Sequence, residues 1–220
     1  MRVTYATDDS VKFVGHLDLA RAWERAIRRA RLPLAYSQGF HPQPRIQFAA
    51  ALPVGTTGSA EVMDIYLTED VAAEMVLLRL AAALPRGILA SAAEEAPLEW
   101  PSLQSQLRGA AYHVEVETDQ TPAAFTAVLE HFLVRTEAWR ERRRGREMSR
   151  YDLRPLVQAL EYRSPCERGQ AFVVRMRSEP GATGRADELV AELGFERAPR
   201  RICRTRLLFA ADSVPPGADG

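Results

Sequence analysis

Two tandem ferredoxin-like (split βαβ) units of an α+β protein are the fold class that this chain predicts. Three observations carry the expectation. Alternating and helix-periodic apolar stretches follow one another in the order strand-helix-strand-strand-helix-strand. The same order of elements returns after a proline-containing stretch near the middle. Each half is then roughly 95 to 105 residues, an ordinary domain size. The expected boundaries are 1–94 for the first unit, 95–110 for a linker, 111–211 for the second unit and 212–220 for a disordered tail. The duplication rests on element order, because no residue motif repeats between the halves.

In the first half, Arg2 to Thr7 reads as a strand and Asp8 to Ser10 as a polar turn. A helix follows from about His16 to Arg31. At 100° per residue, Leu19, Ala22, Trp23, Ala26, Ile27 and Ala30 share one side, and Arg21, Arg25 and Arg28 form a narrow stripe opposite. Pro33 ends it. Arg45 to Leu52 reads as a strand closed by Pro53 and Gly55, and Ala60 to Leu67 alternates as the next. Val71 to Leu84 is rich in Ala, Leu and Met and predicts the second helix. Ile88 to Ala93 completes the set.

After Glu95 to Arg108, with Pro97 and Pro101, Tyr112 to Glu117 alternates as a strand. Pro122 opens a helix carrying Phe125, Val128, Leu129 and Phe132. Leu153 to Tyr162 and Phe172 to Arg177 predict a strand pair. Asp187 to Leu193 predicts a short helix stopped by Gly194, and Ile202 to Phe209 the last strand. Asp212 to Gly220 is rich in Pro and Gly.

Composition narrows the function classes. The chain has 220 residues, 46% hydrophobic and 26% charged, with zero formal net charge. No apolar run approaches the ~20 residues that span a bilayer, so no membrane role is expected. The first ten residues lack a signal pattern. Cys166 and Cys203 fit neither a zinc spacing nor a disulfide framework. A reducing cytoplasm is the expected compartment. Lys12 is the single lysine among 29 basic residues. A GC-rich genome explains that bias, yet local arginine clusters still matter, because guanidinium grips phosphate in a bidentate way.

The stretch Gly15 to Phe48 concentrates the residues with a chemical use. His16 and Asp18 sit where the first helix begins, as a local cap or as an acid–base pair. Arg21, Arg25 and Arg28 are a solvated face or a row of phosphate contacts. In the loop from Tyr36 to Arg45, Gly39 permits a sharp turn, while Pro42 and Pro44 stiffen the chain. Such a loop holds Tyr36, Ser37, Gln38, Phe40, His41 and Arg45 ready at low entropic cost, the mix of groups that stacks on and pairs with unpaired bases. In the second half, Arg140, Arg142, Arg143, Arg144 and Arg146 form a basic patch around Gly145, read as a hairpin tip and as a further nucleic-acid contact. Asp152 and Arg154 follow at once, as a local ion pair or as part of that contact.

Other chemistries find less support. Two histidines without a further ligand do not make a metal site, and no metal or cofactor is expected. Ser37 has no nucleophile-elbow context. Neither GxxxxGK[ST] nor GxGxxG occurs, and no cysteine triplet exists for an iron–sulfur cluster.

The run KFVGHLDLARAWERAIRRARLPLAYSQGFHPQPRIQFAAALPVG, and later RRGRE with YDLRPLV, closely resembles a bacterial radical-SAM-linked domain of unknown function. That domain occurs as a separate chain or fused behind a radical-SAM enzyme, and the resemblance covers most of this chain. The matching positions are His16, Asp18, Ser37, Gln38, Gly39, Phe40, Pro42, Pro44, Asp152, Arg154 and Pro155. Where that family often carries a histidine between the two prolines, this chain has Gln43, which weakens a metal or acid–base role for the loop. The resemblance implies an accessory module that works with a radical-SAM protein as partner.

Together these readings predict an RNA-binding module that presents tRNA or rRNA to a radical-SAM enzyme. One alternative is an enzyme using His16, Asp18 and His41 in acid–base chemistry, although no complete catalytic motif is present. Another is a module that clamps its radical-SAM partner through protein contacts.

Overall fold

A computed structural model of the chain describes residues 1–144, 147–198 and 200–210, with the backbone alone at Arg143, Arg144 and Glu147. Gly145 and Arg146, read above as hairpin tip and RNA contact, lie outside the described residues, as does the tail 212–220. The fold is mixed α+β. By its internal contacts the chain divides into two units, Met1–Leu107 with the stretch beginning at Arg204, and Arg108–Cys203.

The first unit contains β1 (Arg2–Thr7), α1 (His16–Arg29), β2 (Ile46–Phe48), β3 (Thr56–Ile65), α2 (Ala73–Ala83), β4 (Ile88–Glu94) and a short α3 (Leu103–Gln106). Its strands run in the order β2-β3-β1-β4, each antiparallel to its neighbour. Side chains alternate across the pleat. Val3, Tyr5, Met63 and Ile65 therefore meet Leu19, Trp23 and Ile27 of α1 and Val76 and Leu80 of α2 in one core. Trp23 is fully buried and packs edge-on against Tyr5, with 5.0 Å between ring centres. The opposite face of these strands carries Arg2, Thr4, Val62, Asp64 and Ala92.

α1 begins after Gly15 with no side-chain cap, so His16 does not cap it. Asp18 in its first turn and Arg28 and Arg29 in its last suit the helix dipole. The chain leaves through Arg31 at φ 53, ahead of Pro33.

β2 is shorter than the strand expected from Arg45 to Leu52. Arg45 instead donates its N–H to Ala35 O at 2.9 Å. The carbonyls of Ala50 and Ala51 accept from the Arg204 guanidinium, each at 3.2 Å, which takes them out of any ladder. Arg204 and Glu61 form a buried pair, 2.7 Å from Nε to Oε1. Gly58 leaves room for that carboxylate, since a Cβ there would come within 2.5 Å of the Glu61 side chain.

The second unit contains β5 (Leu107–Glu117, from Arg108), α4 (Pro122–Leu133), β6 (Trp139–Arg144), β7 (Glu147–Asp152), β8 (Val157–Cys166), β9 (Gly169–Glu179), β10 (Ala182–Thr183), α5 (Ala186–Val190) and the start of β11 (Arg200–Phe209). β9 pairs antiparallel with both β5 and β8, and β11 lies next to β5. Thr121 caps α4 by accepting from Ala124 N–H at 3.3 Å, with Pro122 in the first turn. Phe125 of α4 contacts Phe172 and Phe195, at 6.0 and 5.4 Å between ring centres. The helical path of α5 continues through Leu193 and breaks at Gly194, which takes φ 92, the left-handed conformation of a glycine at a helix C-terminus.

Leu153 to Leu156 forms a turn that buries Leu153 and Leu156, rather than the start of β8. Asp152 Oδ1 accepts from Ala138 N–H (2.7 Å) and Arg154 N–H (3.0 Å), and Pro155 sits in the 3-10 turn that follows. Strands β6 and β7 pair as a two-stranded hairpin. Among the described residues, no helix is long and apolar enough to cross a membrane.

Candidate nucleic-acid interface

In the first unit the exposed face of α1 carries Arg21, Arg25 and Arg28. Arg21 bonds Asp18 at 2.9 Å and Arg28 bonds Glu24 at 2.8 Å, both pairs with at least one largely exposed side chain and hence weak. The Arg25 guanidinium has no hydrogen-bond or ion-pair partner among the described residues. Arg28 also donates through Nε to Tyr36 Oη at 2.9 Å and lies 5.7 Å from that ring. This contact ties α1 to the base of the loop.

The loop is a closed tongue. Tyr36 and Pro44 bridge its base. Ser37 N–H donates to Gln43 O (2.8 Å), and Gln43 N–H donates back to Ser37 Oγ (2.9 Å). Gly39 turns the chain at φ 132, a conformation that suits glycine. Beyond the base, Gln38, Phe40 and His41 are exposed, Phe40 completely. Arg45 lies over the Tyr66 ring at 4.1 Å, a cation–π contact. Tyr36 is half-buried and already engaged by Arg28, so it braces the tongue.

The proposed acid–base set does not gather. The His16 ring packs edge-on against Phe48 at 5.2 Å, with Nδ1 buried and unpartnered. Asp18 is bonded to Arg21, and His41 stands on the tongue. Among the described residues no hydrogen bond joins any two of the three, and no group of three His, Cys, Asp or Glu side chains converges on a common point. Sequence reasoning passed over Phe13 and Leu17, which are 74% and 71% exposed at the start of α1. Leu17 falls outside the apolar stripe of that helix, and this was the available signal.

In the second unit the arginines are mostly engaged. Arg140 bonds Glu192 at 2.8 Å, and Arg135 holds the other oxygen of that carboxylate at 2.7 Å. Burial alone would raise the Glu192 carboxyl, but the hydrogen bonds and charges of Arg140 and Arg135 outweigh it and hold the group below the ordinary value. Arg142 Nε lies 2.9 Å from Glu188 Oε1, and Tyr151 Oη also donates to Glu188. Burial, then the Glu188 carboxylate, push the Tyr151 hydroxyl up to about 12, so it stays a donor. Arg154 donates to the carbonyls of Leu133 (2.9 Å), Val157 (3.1 Å) and Arg135 (3.2 Å). It thereby closes the end of α4. Nothing is described of the Arg143 and Arg144 side chains.

The chain belongs to the family described as uncharacterized protein conserved in bacteria (DUF2344), whose model matches residues 1–185. No curated protein matches it. Among solved structures it is similar to a chain in a Cbf5-Nop10-Gar1 complex, at 14% identity and a TM-score of 0.47 over 93% of this chain and 48% of that one. It is also similar to a chain in the archaeal box H/ACA sRNP Nop10-Cbf5 complex, at 11% identity and a TM-score of 0.45 over 93% and 47%. The chain spans about half the length of each.

Proposed function

We propose that this member of the uncharacterized bacterial family is a cytoplasmic RNA-binding module of two split βαβ units, working beside a radical-SAM enzyme. The strand order β4-β1-β3-β2, with helices after β1 and β3, supports a split βαβ reading of the first unit. In the second unit, β11 beside β5, β5 beside β9 and β9 beside β8 support the same reading. The radical-SAM partnership rests on the resemblance in the tongue and the YDLRPLV segment.

The observation that carries RNA binding is the tongue. Its base is fixed by two hydrogen bonds and a bridge, yet it holds Phe40 wholly in solvent. A fully exposed phenylalanine on a braced loop presents an aromatic face on which an unpaired base can stack. Arg25, one helical turn from the Arg28–Tyr36 brace, supplies an unpartnered guanidinium on the same helix. An unpaired base on Phe40 with phosphates along α1 fits both. Among the described residues, the strand positions Thr4, Val62 and Ala92 on the sheet face opposite the helices are not aromatic, unlike the strand platforms that RNA-binding sheets use.

Anisotropy titration of a fluorescent single-stranded RNA tests this. Phe40→Ala and Arg25→Ala should each weaken binding several-fold, and Arg25→Ala should also flatten the salt dependence. Wild-type affinity in both variants overturns the reading. A second reading, a clamp on the partner protein, is favoured by exposed Phe13, just ahead of α1, and Leu17 in its first turn. Ribonuclease-resistant capture of the radical-SAM enzyme, lost in Leu17→Asp, would select it.

A further inference from the structure

The β6–β7 hairpin has two unlike faces. Register places Arg140 opposite Tyr151 and Arg142 opposite Ser149, so these residues share one face. Glu188 and Glu192, four residues apart on the α5 segment, grip that face through Arg142, Tyr151 and Arg140. The other face carries Trp139, Glu141, Met148, Arg150 and Asp152. There the Arg150 guanidinium lies over the Trp139 indole, 4.5 Å from the ring centre. The indole N–H is turned aside, donating to Glu137 Oε2 at 2.7 Å. Trp139 remains 48% and Met148 59% exposed.

The Arg150 guanidinium makes no hydrogen bond and no ion pair among the described residues, whereas those of Arg135, Arg140, Arg142 and Arg154 all do. Glu141 stands across from it, and Asp152 on the same face is engaged by the Ala138 and Arg154 amides. A guanidinium stacked on an indole is a flat cation. Its outer face can stack on a base while its N–H edge reaches a phosphate. The sequence adds Arg143, Arg144 and Arg146 to this hairpin, so its charge complements a polyanion.

We propose that the outer face of the β6–β7 hairpin is a second contact for single-stranded RNA, with an unpaired base stacked on the Arg150–Trp139 pair. This rests on the RNA-binding reading above, and it transfers the role that sequence gave to Arg140 and Arg142 onto Arg150 and Trp139. The clamped inner face then serves to hold the outer one rigidly.

The test is titration of the full chain with oligouridine, following tryptophan fluorescence and affinity together. Wild-type protein should show quenching. Arg150→Ala should weaken binding about tenfold, within the range for stacking of one base, and abolish most of the quenching. Arg150→Lys keeps the charge but not the plane, and should restore the salt dependence without the quenching. Phe40→Ala should lower affinity while quenching persists at saturation. Arg150→Ala and Arg150→Lys that both bind and quench as wild type overturn this proposal alone. Wild-type protein that binds no oligouridine overturns it together with the RNA-binding reading.

Discussion

Helix α1 of the first unit and the β6–β7 hairpin of the second are both rich in arginine, and they treat it in opposite ways. On α1 the carboxylate partners are local, three or four residues away, and open to solvent, while Arg25 has none. On the hairpin the partners Glu188 and Glu192 come from 46 to 52 residues away and are mostly buried. Exposed local pairs contribute little and exchange readily for a phosphate, whereas partly buried pairs with several hydrogen bonds hold the fold. Arginine density therefore marks both segments, but among the described side chains those of α1 are held at most by open local pairs, whereas Arg140 and Arg142 of the hairpin are held by distant, partly buried carboxylates.

The sharpest contrast lies at Arg204. Arg204→Ala leaves the Glu61 carboxylate buried without its cation and should cost about 3–5 kcal/mol in urea unfolding. Arg154→Ala strips hydrogen bonds from three carbonyls and should cost about 2–3 kcal/mol by the same measurement. RNA binding by the folded fraction should be unchanged. An Arg154 variant that keeps full stability but loses RNA would break the comparison.

Glu192 offers a pH test. Its folded carboxyl lies below the ordinary glutamate value of 4.5, so the pairing stabilises fully above that value and is lost as pH falls through the depressed one. Glu192→Gln should lower stability at neutral pH by about 1 kcal/mol and reduce the acid dependence. An identical acid profile in the variant would show that the hairpin is held by other contacts. Arg25→Ala is expected to have the smallest effect on the fold, with no measurable change in thermal midpoint. It should reduce the slope of log affinity against log salt by about 1. A stability loss comparable to Arg154→Ala would place α1 with the hairpin.

Much of the fold was legible because it is written locally. The spacing of Leu19, Trp23, Ala26 and Ile27 predicts both the helix and its buried side, and those four are buried. Pro122 marks the start of α4. The short β2 and the late start of β8 were not legible. Each depends on a side chain, Arg204 or Asp152, that takes over backbone groups which periodicity assigns to a ladder.

The candidate site divides along the same line. Pro42 and Pro44 restrict backbone angles and Gly39 permits a sharp turn whatever surrounds them, so a stiff, aromatic tongue follows from sequence alone. So does the arginine stripe of α1, which depends only on 3.6-residue periodicity. Which guanidinium is free depends instead on carboxylates brought from far along the chain. Tertiary structure alone decided that Glu188 and Glu192 occupy Arg142 and Arg140, and that Arg150 is left on Trp139. An ion pair needs two groups within a few ångströms, and a single sequence states the identity of each group but not the distance between them.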